Sequence, residues 1–165
     1  MNSSDTIDLT IVREQLSEYF LHLAQRVERC TRILEPSQLW INPFPFGNSL
    51  GNLVVHLTGN LNHFIGAEIA QTGYKRDRPS EFSTAVASRS ADEILQEFHA
   101  AIQMVTQTLL SRDGADFASP VPSAAPPVRN QFGLFLVCAA HISNHIGQMI
   151  YLLQAHGFQL DERTW

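Results

Sequence analysis

With 165 residues, 44% of them hydrophobic and 16% charged, the chain is long enough for one domain with its own core and too apolar for a disordered segment. A formal net charge of −5 and the lack of a Lys/Arg cluster argue against a nucleic-acid ligand; the densest basic run, Lys75-Arg76-Asp77-Arg78, carries its own acid. No apolar run approaches the ~20 residues of a membrane span, and the start, Met-Asn-Ser-Ser-Asp, lacks the pattern of a secretory signal. Cys30 and Cys138, the two cysteines, fall in apolar helical seams, which suits a reducing compartment better than a disulfide framework. The expectation is a cytoplasmic protein without membrane partner, folded as a single domain over residues 1–165.

After a polar lead-in, Leu9 to Leu34 carry helical period: Val12, Leu16, Tyr19, Phe20, Leu23, Val27, Cys30 and Leu34 form one face, and Pro36 ends the helix. The connection over 36–49 has two further prolines and three aromatics, Trp40, Phe44 and Phe46, the composition of an ordered loop packed on the helices. Trp40 is read as a structural anchor. Asn48 or Ser49 caps a second helix, expected to run to about Thr72 with Gly73 as its stop. Its apolar face is threaded by Asn52, His56, Asn60 and His63. Buried polar groups cost roughly 1–3 kcal/mol each when unpaired, so four in line imply a shared purpose: a ligand set, a polar cavity or held water. Gly51, Gly59 and Gly66 each cost about 1 kcal/mol of helix propensity, which close packing or room for a bound group would offset.

Residues 73–90 read as a connection without periodicity, and Ser90-Ala-Asp-Glu93 is a capping box opening a third helix with Ile94, Leu95, Phe98, Ala101, Ile102, Val105, Leu109 and Leu110 inside. His99 is read as a boundary histidine. The stretch 115–128, with four prolines, is expected to be non-helical and to cross from one end of the molecule to the other. A fourth helix is expected from about Asn130 to Ala155, with Gly157 past its end. No strand alternation and no internal repeat is present. Four long helices with long ordered connections make an all-α four-helix bundle the expected fold.

On the last helix, Leu134, Cys138, His141, His145, Gln148 and Leu152 share one stripe. Residues four apart stack on a helix, so His141 and His145 aim at a common point. A lone HxxxH is more often a pair of hydrogen-bonded core histidines than a metal site; a third ligand changes that balance. His56 on the second helix is the favoured third ligand and His63, two turns on, its competitor. A rise of ~10 Å separates the two, so both cannot serve one ion with the same pair. There is no HExxH, no set of clustered cysteines and no Glu-x-x-His pair, which sets aside zincins, closed structural zinc sites and di-iron bundles. Three imidazoles suit one divalent ion, Zn, Ni, Fe or Mn, with coordination positions left for water or substrate. Gln148 and Asn60 are the stronger candidates for orienting imidazoles or substrate, followed by Asn52. Asn144 points about 100° away from His145 and suits a helix–helix hydrogen bond. Cys138 is read as a packing residue. No carboxylate joins the stripe, so a protein general base is not apparent.

The phrases 48-NSLGNLVVHLTGNLNHFI-65, 76-RDRPSEF-82 and 141-HISNHIGQMIYL-152 resemble the DinB/YfiT-like superfamily, most closely an uncharacterised branch of it, over nearly the whole chain. Most specific are Ser49-x-Gly51-x-Leu53-x-x-His56 and His141-x-x-x-His145-x-Gly147-Gln148. The resemblance implies an up-down-down-up four-helix bundle, a metal triad at His56, His141 and His145, and a homodimer. Relatives include thiol transferases using bacillithiol and mycothiol-dependent isomerases and transferases, while other members have no demonstrated activity. The implied function is a metal-dependent S-transferase whose partners are a low-molecular-weight thiol and an electrophilic substrate. The alternatives are a metal-dependent hydrolase, a non-catalytic metal or ligand-binding module of a stress response, and an interaction protein whose histidines only hydrogen-bond in the core. The lack of a carboxylate on the stripe leans toward thiol chemistry over hydrolysis.

Overall fold

Every α-helix begins where the sequence supplies a capping side chain. The computed structural model describes residues 8–83, 87–123 and 125–160; the lead-in through residue 7 and the tail from residue 161 lie outside them. Asp8 caps α1 (Leu9–Ile33) by accepting from Thr10 N at 2.8 Å, and Ser49 caps α2 (Leu50–Leu61) by accepting from Asn52 N. Ser90 and Glu93 form the expected capping box of α3 (Ala91–Leu110), and Asn130 caps the last helix by accepting from Gly133 N. Each such bond satisfies one of the donors a helix start leaves orphaned, worth about 1 kcal/mol.

The stretch after α3 departs from expectation. A short helix, α4 (Gly114–Ala118), stands where residues 115–128 were expected to be non-helical. Asp113 and Asp116 form a reciprocal capping box there, and the turn closes before Pro120, the first of the four prolines, so no proline falls inside it. The fifth helix, α5, spans Gln131–Ala155. No strand occurs among the described residues, and the fold is all-α.

The second helix is also shorter than its apolar pattern. Regular α geometry stops at Leu61 and a π-helical turn follows over Asn62–Ala67, with Glu68 N bonding to His63 O and Ala70 N to Ile65 O, five residues back. Such wide turns are uncommon and recur near functional sites. Gln71 and Gly73, both at positive φ, then turn the chain out of the helix.

In cross-section α1 packs against α3 and α5, and α2 against the same two helices. The seam buried by α1 is Ser17, Phe20, Leu23, Ala24, Val27, Cys30 and Thr31, while Tyr19, expected inside, is 43% exposed. On α3 the expected core residues are buried except Leu110, which faces outward at the helix end. On α5 the main core seam runs through Phe135, Ala139, Ile142, Ile146, Met149 and Leu153, and the histidine stripe lies beside it, facing α2. The apolar helix therefore serves two faces, one sealing the core and one bordering a polar site.

The first long connection is clasped to the second. Trp40 donates its indole N–H to the carbonyl of Arg89 at 2.9 Å and lays its ring over the backbone of Gly51, where a Cβ would come within 2.8 Å of the ring. It is the anchor the sequence suggested, and Gly51 is the residue that makes room for it. No described helix is long and apolar enough to cross a membrane.

Candidate metal centre

His56 sits midway along α2, buried to 7% exposure, and its ring faces α5. His141 and His145 lie one helical turn apart on α5, their ring centroids 4.4 Å apart, each within 5.3 Å of the His56 ring. One nitrogen of each of the three lies within 4.8 Å of the others. The Nε2 atoms of His56 and His141 are 3.1 Å apart, close to the spacing of two nitrogens that each sit about 2.1 Å from one ion.

The outer nitrogens fix the tautomers. His56 Nδ1 lies 2.8 Å from a carboxylate oxygen of Glu81, which can only accept, so Nδ1 carries a proton, and in the neutral ring Nε2 then presents its lone pair inward. In the same way His145 Nδ1 lies 2.8 Å from Gln148 Oε1, donating to it, and its Nε2 is a buried atom with no hydrogen-bond partner among the described residues. An inward lone pair on His56, an orphaned one on His145 and a third imidazole between them form a donor set complete except for an acceptor of electron pairs. Burial, helped by the neighbouring His145 and His56 and by Arg76, pushes the His141 imidazole down to about 4, and burial lowers His145 as well, against the pull of its bond to Gln148. Those two rings are therefore neutral, the form a metal requires, at physiological pH. The residues present fit a divalent cation.

Glu81 is the component the sequence reading missed. Residues 73–90 carry no periodicity, yet Pro79–Phe82 form a single 3-10 turn that lowers Glu81 into the protein to 4% exposure. Arg76 meets its carboxylate through Nε at 2.6 Å and a second guanidinium nitrogen at 2.9 Å. That nitrogen and His56 Nδ1 are 3.2 Å apart because both donate to the same carboxylate oxygen. Burial works to raise the Glu81 carboxyl, but the bonds from Arg76 and His56 and the guanidinium charge outweigh it and hold the group below its ordinary range. The backbone of α2 accommodates this carboxylate at Gly59, where a Cβ would collide with Glu81 Oε1. Gly59, three residues past His56, thus gives up helix propensity for space, and the occupant of that space is a carboxylate. The detectable signal was a Pro-Ser-Glu turn in a charged loop, coupled to an unexplained helical glycine.

The remaining candidates divide. Gln148 holds His145 as expected. Asn52 reaches Glu81 from the other side, donating to its backbone carbonyl at 3.1 Å while its own Oδ1 accepts from Ser49. Asn60 is buried on the wall of a cavity that also contains His141, and its side chain makes no hydrogen bond among the described residues. His63 is outside the triad: its ring packs on Phe64 and its Nε2 lies 3.7 Å from Glu68. Asn144 makes no helix–helix bond among the described residues; it is exposed and lines an open cleft with Phe44, Phe46 and Tyr151. Cys138 is buried packing, as expected, and His99 pairs with Glu28 at the boundary of α1 and α3.

The profile of a family described as a protein of unknown function, DUF1572, matches residues 9–165. The chain belongs to the DUF1572 family. No curated protein matches it. The matched region contains all three histidines together with Glu81, Arg76 and Gln148, so the whole constellation belongs to the DUF1572 domain and none of it to an appended segment.

Proposed function

We propose that this DUF1572 protein is a metal-dependent enzyme of the DinB/YfiT-like superfamily, an up-down-down-up four-helix bundle that transfers a low-molecular-weight thiol to an electrophile. The observation that carries the reading is the convergence of inward nitrogens from His56, His141 and His145 while the outer nitrogens of His56 and His145 are held by Glu81 and Gln148. The packing of α1 and α2 each against α3 and α5 supports the bundle. The protein groups would hold one divalent ion, Zn, Ni, Fe or Mn, through three neutral imidazoles. Such an ion, when bound, supplies Lewis acidity that favours the thiolate form of a thiol near neutral pH.

Each residue around the triad has a limited role in this scheme. Glu81, fixed by Arg76, keeps the proton of His56 on Nδ1 and the ring aimed inward; Gln148 does the same for His145. In the transfer the S–H proton is lost to solvent and the sulfur pair forms the new S–C bond. The leaving group departs with the pair of the bond that breaks. Glu81 is fully engaged by a guanidinium and an imidazole, so it is not free to act as a base on water, and this favours thiol transfer over hydrolysis. The homodimer and cytoplasmic setting implied by the resemblance are part of the same proposal; the exposed Tyr19 and Leu136 beside a groove between α1 and α5 support a second copy there.

Metal analysis of protein purified without a nickel column tests the centre: about one divalent ion per chain is expected, lost in His56→Ala and kept in His63→Ala. A panel of small thiols with a haloaromatic acceptor tests the reaction. Stoichiometric metal with no turnover for any thiol would replace the transferase by a binding module, and no metal at all would end the reading.

A further inference from the structure

Between the end of α2 and α5 lies a cavity of about 340 Å³, roofed by the proline-containing segment before α5. One wall is a single face of α5, formed by Leu134, Val137, Cys138 and His141, and the opposite wall is Asn60 and Phe64. No Lys, Arg, Asp or Glu is among the described residues that line it. Its volume is about twice that of a ~150 Å³ apolar cavity able to hold one benzene ring. Burial pushes the Cys138 thiol up to about 12, so this wall offers contact and no nucleophile.

Three polar side chains line it, Asn60, Ser123 and His141, and the Ser123 hydroxyl already donates to Glu68, so Asn60 is the one to consider beside the histidine. It is 8% exposed, and its side-chain amide makes no hydrogen bond to the described residues. The amide is not sealed in the core but opens onto the cavity, where its N–H and C=O are available to a group that enters. Because His141 forms part of the same wall, that occupant would sit against the triad.

We propose that this cavity is the acceptor subsite: it takes a compact, uncharged group of one or two rings carrying a carbonyl-type oxygen, which Asn60 binds and orients toward the histidine centre. This rests on the thiol-transfer reading, since that reaction needs a place for the electrophile apart from the thiol. The charges that low-molecular-weight thiols carry would be desolvated without partners here, whereas a neutral aryl carbonyl matches both the apolar wall and the single amide.

The test is a ¹⁹F NMR titration of the full chain with 4-fluoroacetophenone and with 4-fluoroethylbenzene, which keeps the shape and lacks the oxygen. Saturable binding of both is expected, tighter for the ketone. Asn60→Leu should remove about tenfold of ketone affinity and leave the hydrocarbon within about twofold. Val137→Trp, at a 39% exposed position on the rim, should weaken both probes about tenfold by filling the space, and it keeps the test valid if Asn60→Leu does not fold. Loading the triad with Mn²⁺ should broaden the bound probe's resonance by proximity. No saturable binding, binding indifferent to Val137→Trp, binding lost in Tyr151→Ala (which belongs to the other cleft), or a bound probe untouched by Mn²⁺ would each overturn the subsite. Metal uptake without probe binding removes the subsite and leaves the metal centre standing. Probe binding without metal uptake removes the proposed function, and the acceptor role with it.

Discussion

Replacing Gly59 by alanine adds one methyl group to the middle of α2, and two effects of opposite sign compete. In a helix interior the change favours folding by about 1 kcal/mol, because glycine loses more backbone entropy than alanine. Against it, the new Cβ would collide with Glu81 Oε1 and stand 3.0 Å from its Cδ. That carboxylate is 4% exposed and cannot swing aside without giving up bonds to Arg76 at 2.6 and 2.9 Å and to His56 at 2.8 Å. Breaking a buried pair of this kind costs about 3–5 kcal/mol. The loss exceeds the gain, and Gly59→Ala should destabilise the protein by about 2–4 kcal/mol. At a urea slope of about 2 kcal/mol/M, this lowers the midpoint by about 1–2 M. The measurement belongs in EDTA, so that bound metal does not add its own stabilisation. Gly147→Ala is the control: apart from the adjacent residues and backbone of α5 itself, no atom of the described residues lies within 4 Å of the Cβ position, so only the propensity gain, up to about 1 kcal/mol, should remain. Metal affinity of Gly59→Ala should fall about 10–100-fold as His56 loses its support. A variant as stable as the parent and binding metal equally well would refute the packing argument and the role assigned to Glu81.

Gln148→Leu should leave stability within about 1 kcal/mol, because the side chain is exposed, while reducing metal affinity about tenfold, read by competition with a chromophoric chelator. The low folded-state value of His141, about 4, makes the unfolded chain the better proton binder below about pH 6.5. Metal-free protein should therefore lose stability as pH falls from about 6.5 toward 4, and His141→Phe should flatten that slope in urea midpoints taken across the range; equal slopes would count against it. Cys30 and Cys138, pushed up to about 11 and about 12 by burial, should resist a disulfide reagent at pH 8 until the protein is unfolded. Their raised values also remove stability as pH climbs above about 9, where only the unfolded thiols ionise.

Most of the fold could be read from period and punctuation. Ser49, Ser90 and Asn130 mark the starts of three of the four long helices, and the apolar seams of α1 and α3 predicted their buried faces apart from the exposed Tyr19 and Leu110 and the half-buried Val12 and Leu16. The histidines were legible for the same reason: a spacing of four on one helix and an imidazole threaded through an apolar face on another are local patterns. Glu81 was not, because its contact with His56 spans 25 residues and depends on where a short loop turn lands. The π turn after Leu61 was hidden as well, since the pattern of Phe64 and Ile65 continues an apolar face whether the backbone winds by 3.6 residues or more. α4 was masked by the prolines that follow it, although Asp113 and Asp116 carried a capping signal before them.

The carboxylate beneath His56 is delivered by a surface connection, and this couples two events that a rigid cage would keep separate. Whatever a cation gains by finding that imidazole already aimed, the 76–82 crossover must gain in return as resistance to opening, because linkage is reciprocal. A protease attacking this crossover would then report on occupancy at the triad without touching a histidine. A cell could, by the same thermodynamics, distinguish the loaded chain from the empty one by how long it survives.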